Sequence, residues 1–173
     1  MPNGSRIVDR ASWRTLIAPL IVLMTIGTTG CEDLLFDDPE HVYNGPPVVE
    51  FAPVLPAGNY ARTITFTRTA TADQTSTVRV NYISEPPSSD ITGTITRVGT
   101  STAVQGTHYN ITGGGNYTIA AGSNFVDIPI QILNAGFTPG QSVTLVLELT
   151  PGTGFGVSEK YKRFTFTLRR NAT

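Results

Sequence analysis

Regular alternation between apolar and polar residues constrains the fold of this chain more than any other feature. It is clearest over residues 126–132, 143–149 and 164–168, and weaker examples lie at 63–67 and 77–82. A period of two places one face of a strand in a core and the other in water, as in antiparallel sheets. No segment after residue 31 has a convincing helical period. The pattern therefore predicts an all-β chain.

Turn-forming stretches separate these segments, for example Glu85-Pro86-Pro87-Ser88-Ser89 and Pro151-Gly152-Thr153-Gly154. Seven to nine short strands at this spacing predict an antiparallel β-sandwich over residues 48–173. Pro129 has no amide hydrogen for a ladder, so its strand is expected at an edge or with that nitrogen facing outward. We expect the last strand to pair internally, with Phe164, Phe166 and Leu168 in the core.

The first 30 residues are typical of a cleaved signal peptide. Three arginines precede an apolar run at residues 16–26, which is shorter than the roughly 20 residues that a membrane-spanning helix needs. Small residues follow, and Thr28-Thr29-Gly30-Cys31 resembles the lipobox of bacterial lipoproteins. The resemblance implies that Cys31 carries the lipid and begins the mature protein. A signal peptide cut elsewhere and an uncleaved signal anchor are the alternatives.

Residues 31–47 are expected to form the lipidated cysteine and an acidic linker. Residues 32–50 contain six acidic residues and no lysine or arginine, and prolines interrupt them. An acidic stretch after the cysteine resembles the export signal of surface lipoproteins encoded beside starch-utilisation-type transporters. A merely solvated tether and an inner-membrane retention signal are the alternatives. We expect a lipid-anchored outer-membrane protein, either periplasmic or surface-exposed, that contacts the membrane through Cys31.

Composition excludes several classes of partner and chemistry. Residues 31–173 contain nine Lys and Arg against twelve Asp and Glu, and their basic residues are not interleaved with aromatics as nucleic-acid binding requires. We therefore expect no nucleic-acid partner. Cys31 is the chain's one cysteine, so no internal disulfide can form.

Residues 100–170 contain four segments with turn glycines or alternating apolar residues: Gly106-Thr107-His108-Tyr109, Tyr117-Thr118-Ile119-Ala120-Ala121-Gly122-Ser123, Val126-Asp127-Ile128-Pro129-Ile130-Gln131-Ile132 and Val143-Thr144-Leu145-Val146-Leu147-Glu148-Leu149. Together these segments resemble the second half of a Calx-beta domain, and also related immunoglobulin-like domains of unknown function from bacterial surface lipoproteins. The resemblance implies that the predicted β-sandwich is immunoglobulin-like. The shared features are turn glycines and core alternation, so the resemblance implies a fold more than a function.

Calcium binding is the activity that a Calx-beta resemblance would imply, and the necessary carboxylates are missing. The motif's usual acid is replaced by His108, the acidic pair after the strand by Asn134-Ala135, and the acid that follows by Gln141-Ser142. We expect no metal site and no cofactor, with Asp127 and Glu148 as surface carboxylates.

No enzyme is expected either. His108 and His41 are the two histidines, and no Gly-x-Ser-x-Gly motif accompanies them. Gly152-Thr153-Gly154-Phe155-Gly156 opens no helix, so it is expected to be a hairpin turn and no phosphate loop.

Two functions remain open. The first is a structural or interaction module, anchored by lipid, that docks on another envelope protein without catalysis. Phe137, in a loop between two strands, is the candidate partner-binding residue because a large apolar side chain at a loop tip requires a partner. The second is a glycan-binding accessory lipoprotein of an outer-membrane uptake system, which would use tyrosines and Phe137.

Overall fold

The computed structural model describes residue 43 and residues 45–173. The signal peptide, Cys31 and most of the acidic linker lie outside the described residues, so the predictions about cleavage and lipidation stay predictions. In the described part of the chain, no helix is both long and apolar enough to span a membrane.

Ten strands, linked by turns and two short 3-10 segments, form two five-stranded sheets. The strands are β1 (Val48–Phe51), β2 (Ala61–Phe66), β3 (Gln74–Ile83), β4 (Ile91–Arg97), β5 (Tyr109–Ile111), β6 (Asn116–Ile119), β7 (Phe125–Ile132), β8 (Ser142–Thr150), β9 (Gly156–Val157) and β10 (Arg163–Arg170). One sheet has the order β5-β7-β3-β1-β9 and the other β2-β10-β8-β4-β6. The predicted all-β sandwich is therefore confirmed.

Apolar side chains on the inner faces of both sheets form one core. Phe164, Phe166 and Leu168 of β10 are buried there, and β10 pairs with β8 on one side and β2 on the other. The expected internal pairing of the last strand is confirmed. Burial of this kind contributes about 25 cal/mol for each Å² of apolar surface removed from water.

The pairing departs from the predicted antiparallel scheme in two places. The β2–β10 and β1–β9 pairs are parallel, and the count is ten strands where seven to nine were expected. The extra elements are short: β9 has two residues and β5 has three. Segments of this length cannot display an alternating pattern, so periodicity does not reveal them.

Pro129 lies where the sheet has no neighbour to pair with its nitrogen. β7 pairs with β3, with Pro129 opposite Thr77, and β5 covers the other side of β7 only from Ile132 to Ile130. Pro129 thus sits just past the end of β5. The expectation that the Pro129 nitrogen needs no ladder partner is therefore correct. The alternative, that its whole strand lies at an edge, is wrong because β7 lies between β5 and β3.

Candidate functional site

The expectation that Phe137 is exposed at a loop tip is wrong. Its side chain is 3% exposed, and its ring lies 5.6 Å from Phe66 and 5.1 Å from the imidazole of His108, measured between centroids. The loop turns inward here, because a large aromatic ring gains more from burial than from contact with water. Phe137 therefore offers no docking surface in this structure.

The three positions at which a Calx-beta resemblance would place calcium ligands do come together around Phe137. The His108 Nε2 lies 3.4 Å from Gln141 Nε2, and the Asn134 carbonyl oxygen accepts the Phe137 amide at 3.2 Å. Their polar atoms serve the fold instead: Asn134 Nδ2 donates to the Ala70 carbonyl at 2.8 Å. Amides and an imidazole therefore occupy these positions.

His108 is a structural residue of its loop. The imidazole is 7% exposed, and its Nδ1 accepts the backbone N–H of Val104 at 3.0 Å. No described hydroxyl or carboxylate hydrogen-bonds to either ring nitrogen, so His108 has no partner with which to activate a nucleophile.

Asp127 and Glu148 are held by cations on the outer faces of the sheets. Arg79 donates to both carboxylate oxygens of Asp127, at 2.9 and 2.8 Å, and these bonds lower the pKa of the Asp127 carboxyl. Glu148 accepts from Arg163 at 2.8 Å. Residues 43 and 45–173 contain no cluster of three or more histidine, cysteine or acidic side chains that could hold a metal ion.

The aromatic side chains proposed for glycan contact offer little free surface. Tyr82, Tyr109 and Tyr117 are buried. Tyr60 and Tyr161 stack on each other with centroids 4.7 Å apart, and the Lys160 amine lies 5.1 Å from the Tyr161 ring. Sugar binding by stacking needs an uncovered ring face. Tyr60 and Tyr161 each cover one face of the other ring.

A groove of about 630 Å³ opens between the two sheets where β2 and β3 face each other, and we call it the β2–β3 groove. It exists because β1 pairs with only the second half of β3, beginning at Val80, before the chain turns away at Pro53. The lining combines apolar and polar side chains, including Val54, Arg62, Ile64, Thr77, Val78 and Phe164.

Two polar side chains connect β2 with β3, and Arg62 is the one of them that lines the groove. Arg62 of β2 donates to Ser76 Oγ at 2.7 Å and to the Thr77 carbonyl at 3.0 Å, while Gln74 of β3 donates to the Thr65 carbonyl at 3.3 Å. These bonds join β2 of one sheet to β3 of the other directly, with no strand between β2 and β3. The groove is thus a preformed opening in the sandwich.

Leu55 follows Val54, which lines this groove, and it is the most exposed large apolar residue described, at 81%. Its turn is closed by a hydrogen bond from the Val54 amide to the Asn59 carbonyl at 2.7 Å, and Val54 itself lines the groove. Leu55 has the setting that the sequence assigned to Phe137. The sequence signal for its exposure is its position between Pro53 and Pro56. No alternating apolar pattern there predicts that Leu55 faces a core.

Comparisons with known proteins show a Calx-beta-like β-sandwich. The chain is similar to a protein of unknown function from Bacteroides ovatus, with a TM-score of 0.52, 14% identity, and coverage of 70% of this chain and 44% of that one. It is also similar to CBD12 from CALX1.2, with a TM-score of 0.50, 14% identity, and coverage of 72% and 44%. This chain therefore spans less than half of either structure.

No protein-family model matches the sequence, and no curated protein matches it. At 14% identity the similar structures show the fold alone. The fold leaves the function open, so the function is argued from the β2–β3 groove and its surroundings.

Proposed function

We propose that this chain is a lipid-anchored module of the bacterial cell envelope that binds another protein and catalyses no reaction. The observation that carries the proposal is Leu55, which is 81% exposed and directly follows Val54, a residue that lines a preformed groove. A large apolar side chain held in water by a closed turn is typical of a surface that a partner covers. Lipid on Cys31 would keep the module at the outer membrane, in the periplasm or at the cell surface.

The polar contacts of the described residues support a binding role over catalysis. The buried His108 accepts a hydrogen bond within its own loop, and the Asp127 carboxylate accepts two hydrogen bonds from Arg79. A general base needs a substrate proton within hydrogen-bond reach. His108 is buried, and Asp127 lines the groove but has both carboxylate oxygens bonded to Arg79. The similar structures include a protein of unknown function and a Calx-beta segment, which is compatible with a non-catalytic module.

The β2–β3 groove also favours a protein partner over a glycan. Its aromatic lining residue, Phe164, is 2% exposed and packs edge-on against Phe51 at 5.7 Å. A pyranose ring would find no exposed aromatic face there. An envelope lipoprotein that captures glycans remains the alternative function, and a glycan array probed with the full chain tests it directly.

The test of the proposal uses Leu55→Asp in the full chain, crosslinked in intact cells and purified under denaturing conditions. We expect a discrete crosslinked protein species with the wild type that Leu55→Asp loses. Val104→Asp is the matched control, because Val104 is 51% exposed and neither it nor its neighbours Ala103 and Gln105 line the groove. Equal crosslinking by wild type and Leu55→Asp would reject this docking surface.

A further inference from the structure

The outer edge of β2 has no strand neighbour in the described chain. The carbonyl oxygens of Tyr60 and Phe66 accept amides from the β10 side at 2.9 and 3.0 Å. Because main-chain groups alternate in direction along a strand, Ala61, Thr63 and Thr65 turn theirs away from β10. The edge of β2 therefore presents the N–H and C=O groups of Ala61 and Thr63 and the N–H of Thr65 to the open side of the sandwich, while the Thr65 carbonyl accepts from Gln74 at 3.3 Å.

The facing half of β3 also has no strand neighbour on the side of the groove, although Arg62 donates to the Thr77 carbonyl there at 3.0 Å. The Arg79 carbonyl accepts the Ala52 amide at 2.9 Å, so Thr75 and Thr77 direct their main-chain groups toward that same side. β1 has already ended there, since its pairing stops at Val80. Unpaired edges of this kind invite a further strand unless something blocks them.

Positive charge without a described acidic partner surrounds the β2 edge. Arg62 projects to the inner side, Arg169 donates to Thr65 Oγ1 at 2.9 Å on the outer side, and Arg68 follows the strand. The described ion pairs of the domain involve Arg79, Lys162 and Arg163, and none involves these three arginines. The one carboxylate lining the groove, Asp127, is bound by Arg79.

We infer that the free edge of β2 binds an extended acidic segment of the partner protein as an added strand. This inference rests on the proposed function and names its site and partner chemistry. The main chain of the added strand would pair with the N–H and C=O of Thr63 and with the N–H of Thr65. Alternate side chains would then point outward toward Arg169, where carboxylates fit, and inward toward Ile64, where apolar groups fit.

Charge also decides between possible occupants. Arginines along an edge disfavour pairing with a second copy of the same edge, because like charges directly opposite destabilise a pair of strands. They favour a strand of the opposite sign. In a partner segment that alternates acidic and apolar residues, the acidic side chains would match the arginines and the apolar side chains would face the groove.

The probe for this inference is a set of acetylated, fluorescently tagged heptapeptides that alternate valine with glutamate, glutamine or lysine. Binding to the full chain is measured by fluorescence anisotropy at low and high salt. Each exposed charge pair changes affinity by about two- to five-fold. We therefore expect the glutamate peptide to bind at least tenfold more tightly than the lysine peptide, with a difference that shrinks in high salt.

Two pairs of variants separate edge pairing from nonspecific attraction. Thr63→Pro removes an outward-facing amide and should abolish binding, whereas Thr63→Val keeps the amide and should retain it. Arg169→Gln should weaken the glutamate peptide about two- to five-fold. Arg163→Gln, which removes the same charge from β10 beyond its β2 pairing, should leave affinity within twofold.

Equal binding of the glutamate and lysine peptides, or unchanged binding by Thr63→Pro, would overturn the inference. If Thr63→Pro does not fold, the affinities of Arg169→Gln and Arg163→Gln for the glutamate peptide test the inference instead. Equal losses of affinity in those two variants would overturn the inference. Loss of the crosslinked species in Leu55→Asp together with no peptide selectivity would reject the acidic strand while keeping the proposed function. The absence of any Leu55-dependent species would reject the proposed function itself.

Discussion

The ring of Phe137 packs against the ring of Phe66 with centroids 5.6 Å apart, which ties the loop before β8 to β2 inside the core. Removing this ring leaves a cavity among side chains that relax only partly. We expect Phe137→Ala to lower the free energy of unfolding by about 3–5 kcal/mol. Urea denaturation measures the loss.

Phe125→Ala is the matched control for this change. Phe125 is 45% exposed and lies under the Arg79 guanidinium at 4.0 Å, so its truncation should cost about 1 kcal/mol. Equal losses for the two variants would mean that Phe137 is not the core residue described here.

Gly136 is required where its loop passes the backbone of Thr107. A Cβ on Gly136 would overlap the Thr107 carbonyl oxygen, and backbone on both sides leaves no flexible group to move. We expect Gly136→Ala to destabilise the domain by about 1–3 kcal/mol. Gly99→Ala, where a Cβ meets nothing within 4 Å, should change stability by less than about 0.5 kcal/mol. Thermal melting of both variants distinguishes a local overlap from a general intolerance of alanine.

Burial raises the pKa of Tyr117 to about 12, above the ordinary value near 10. The folded state therefore holds the phenolic proton more tightly than the unfolded state does. The resulting stability is present below about pH 10 and is lost as the pH rises toward 12. At about 1.4 kcal/mol for each pKa unit, the loss reaches about 2–3 kcal/mol.

Tyr117→Phe isolates this contribution. The Tyr117 hydroxyl is buried without a hydrogen-bond partner, so its removal should cost little or nothing at pH 7. We expect the variant to lose less stability than the wild type between pH 9 and 12 in urea denaturation. Tyr109, whose pKa burial also raises, leaves a residual slope in both proteins. Parallel curves for the two proteins would contradict the assignment.

Cys31→Ser should release the protein from membranes without unfolding its β domain. Lipid on Cys31 is the proposed anchor, and stable anchoring needs more than one acyl chain. The domain core begins at β1, beyond the linker. Fractionation after a carbonate wash, with circular dichroism of the soluble fraction, measures both effects. A variant that still pellets with membranes has another anchor.

The strands with long alternation could be predicted from sequence, and those without it could not. Residues 126–132, 143–149 and 164–168 specify their inner faces, and all three are strands. The two-residue β9 and the parallel partnership of β2 with β10 depend on contacts between distant parts of the chain. Periodicity records which face of a strand is buried, and it contains no information about the neighbouring strand.

The candidate site was predicted less well for a related reason. An apolar residue in a loop can be a surface contact or a core residue, and Phe137 and Leu55 look alike in sequence. Phe137 is buried because its loop folds over Phe66, while Leu55 is exposed because a closed turn holds it away from the core. The missing acids around His108, in contrast, were visible directly in the sequence.

The central claim is that a partner protein covers the surface around Leu55. Its most direct test places a photoreactive phenylalanine analogue at Leu55, and separately at Val104, in the full chain expressed in its own cells. We predict one discrete, reproducible protein adduct from position 55 on illumination and none from position 104. Adducts of equal yield at both positions, or none at either, would contradict the account.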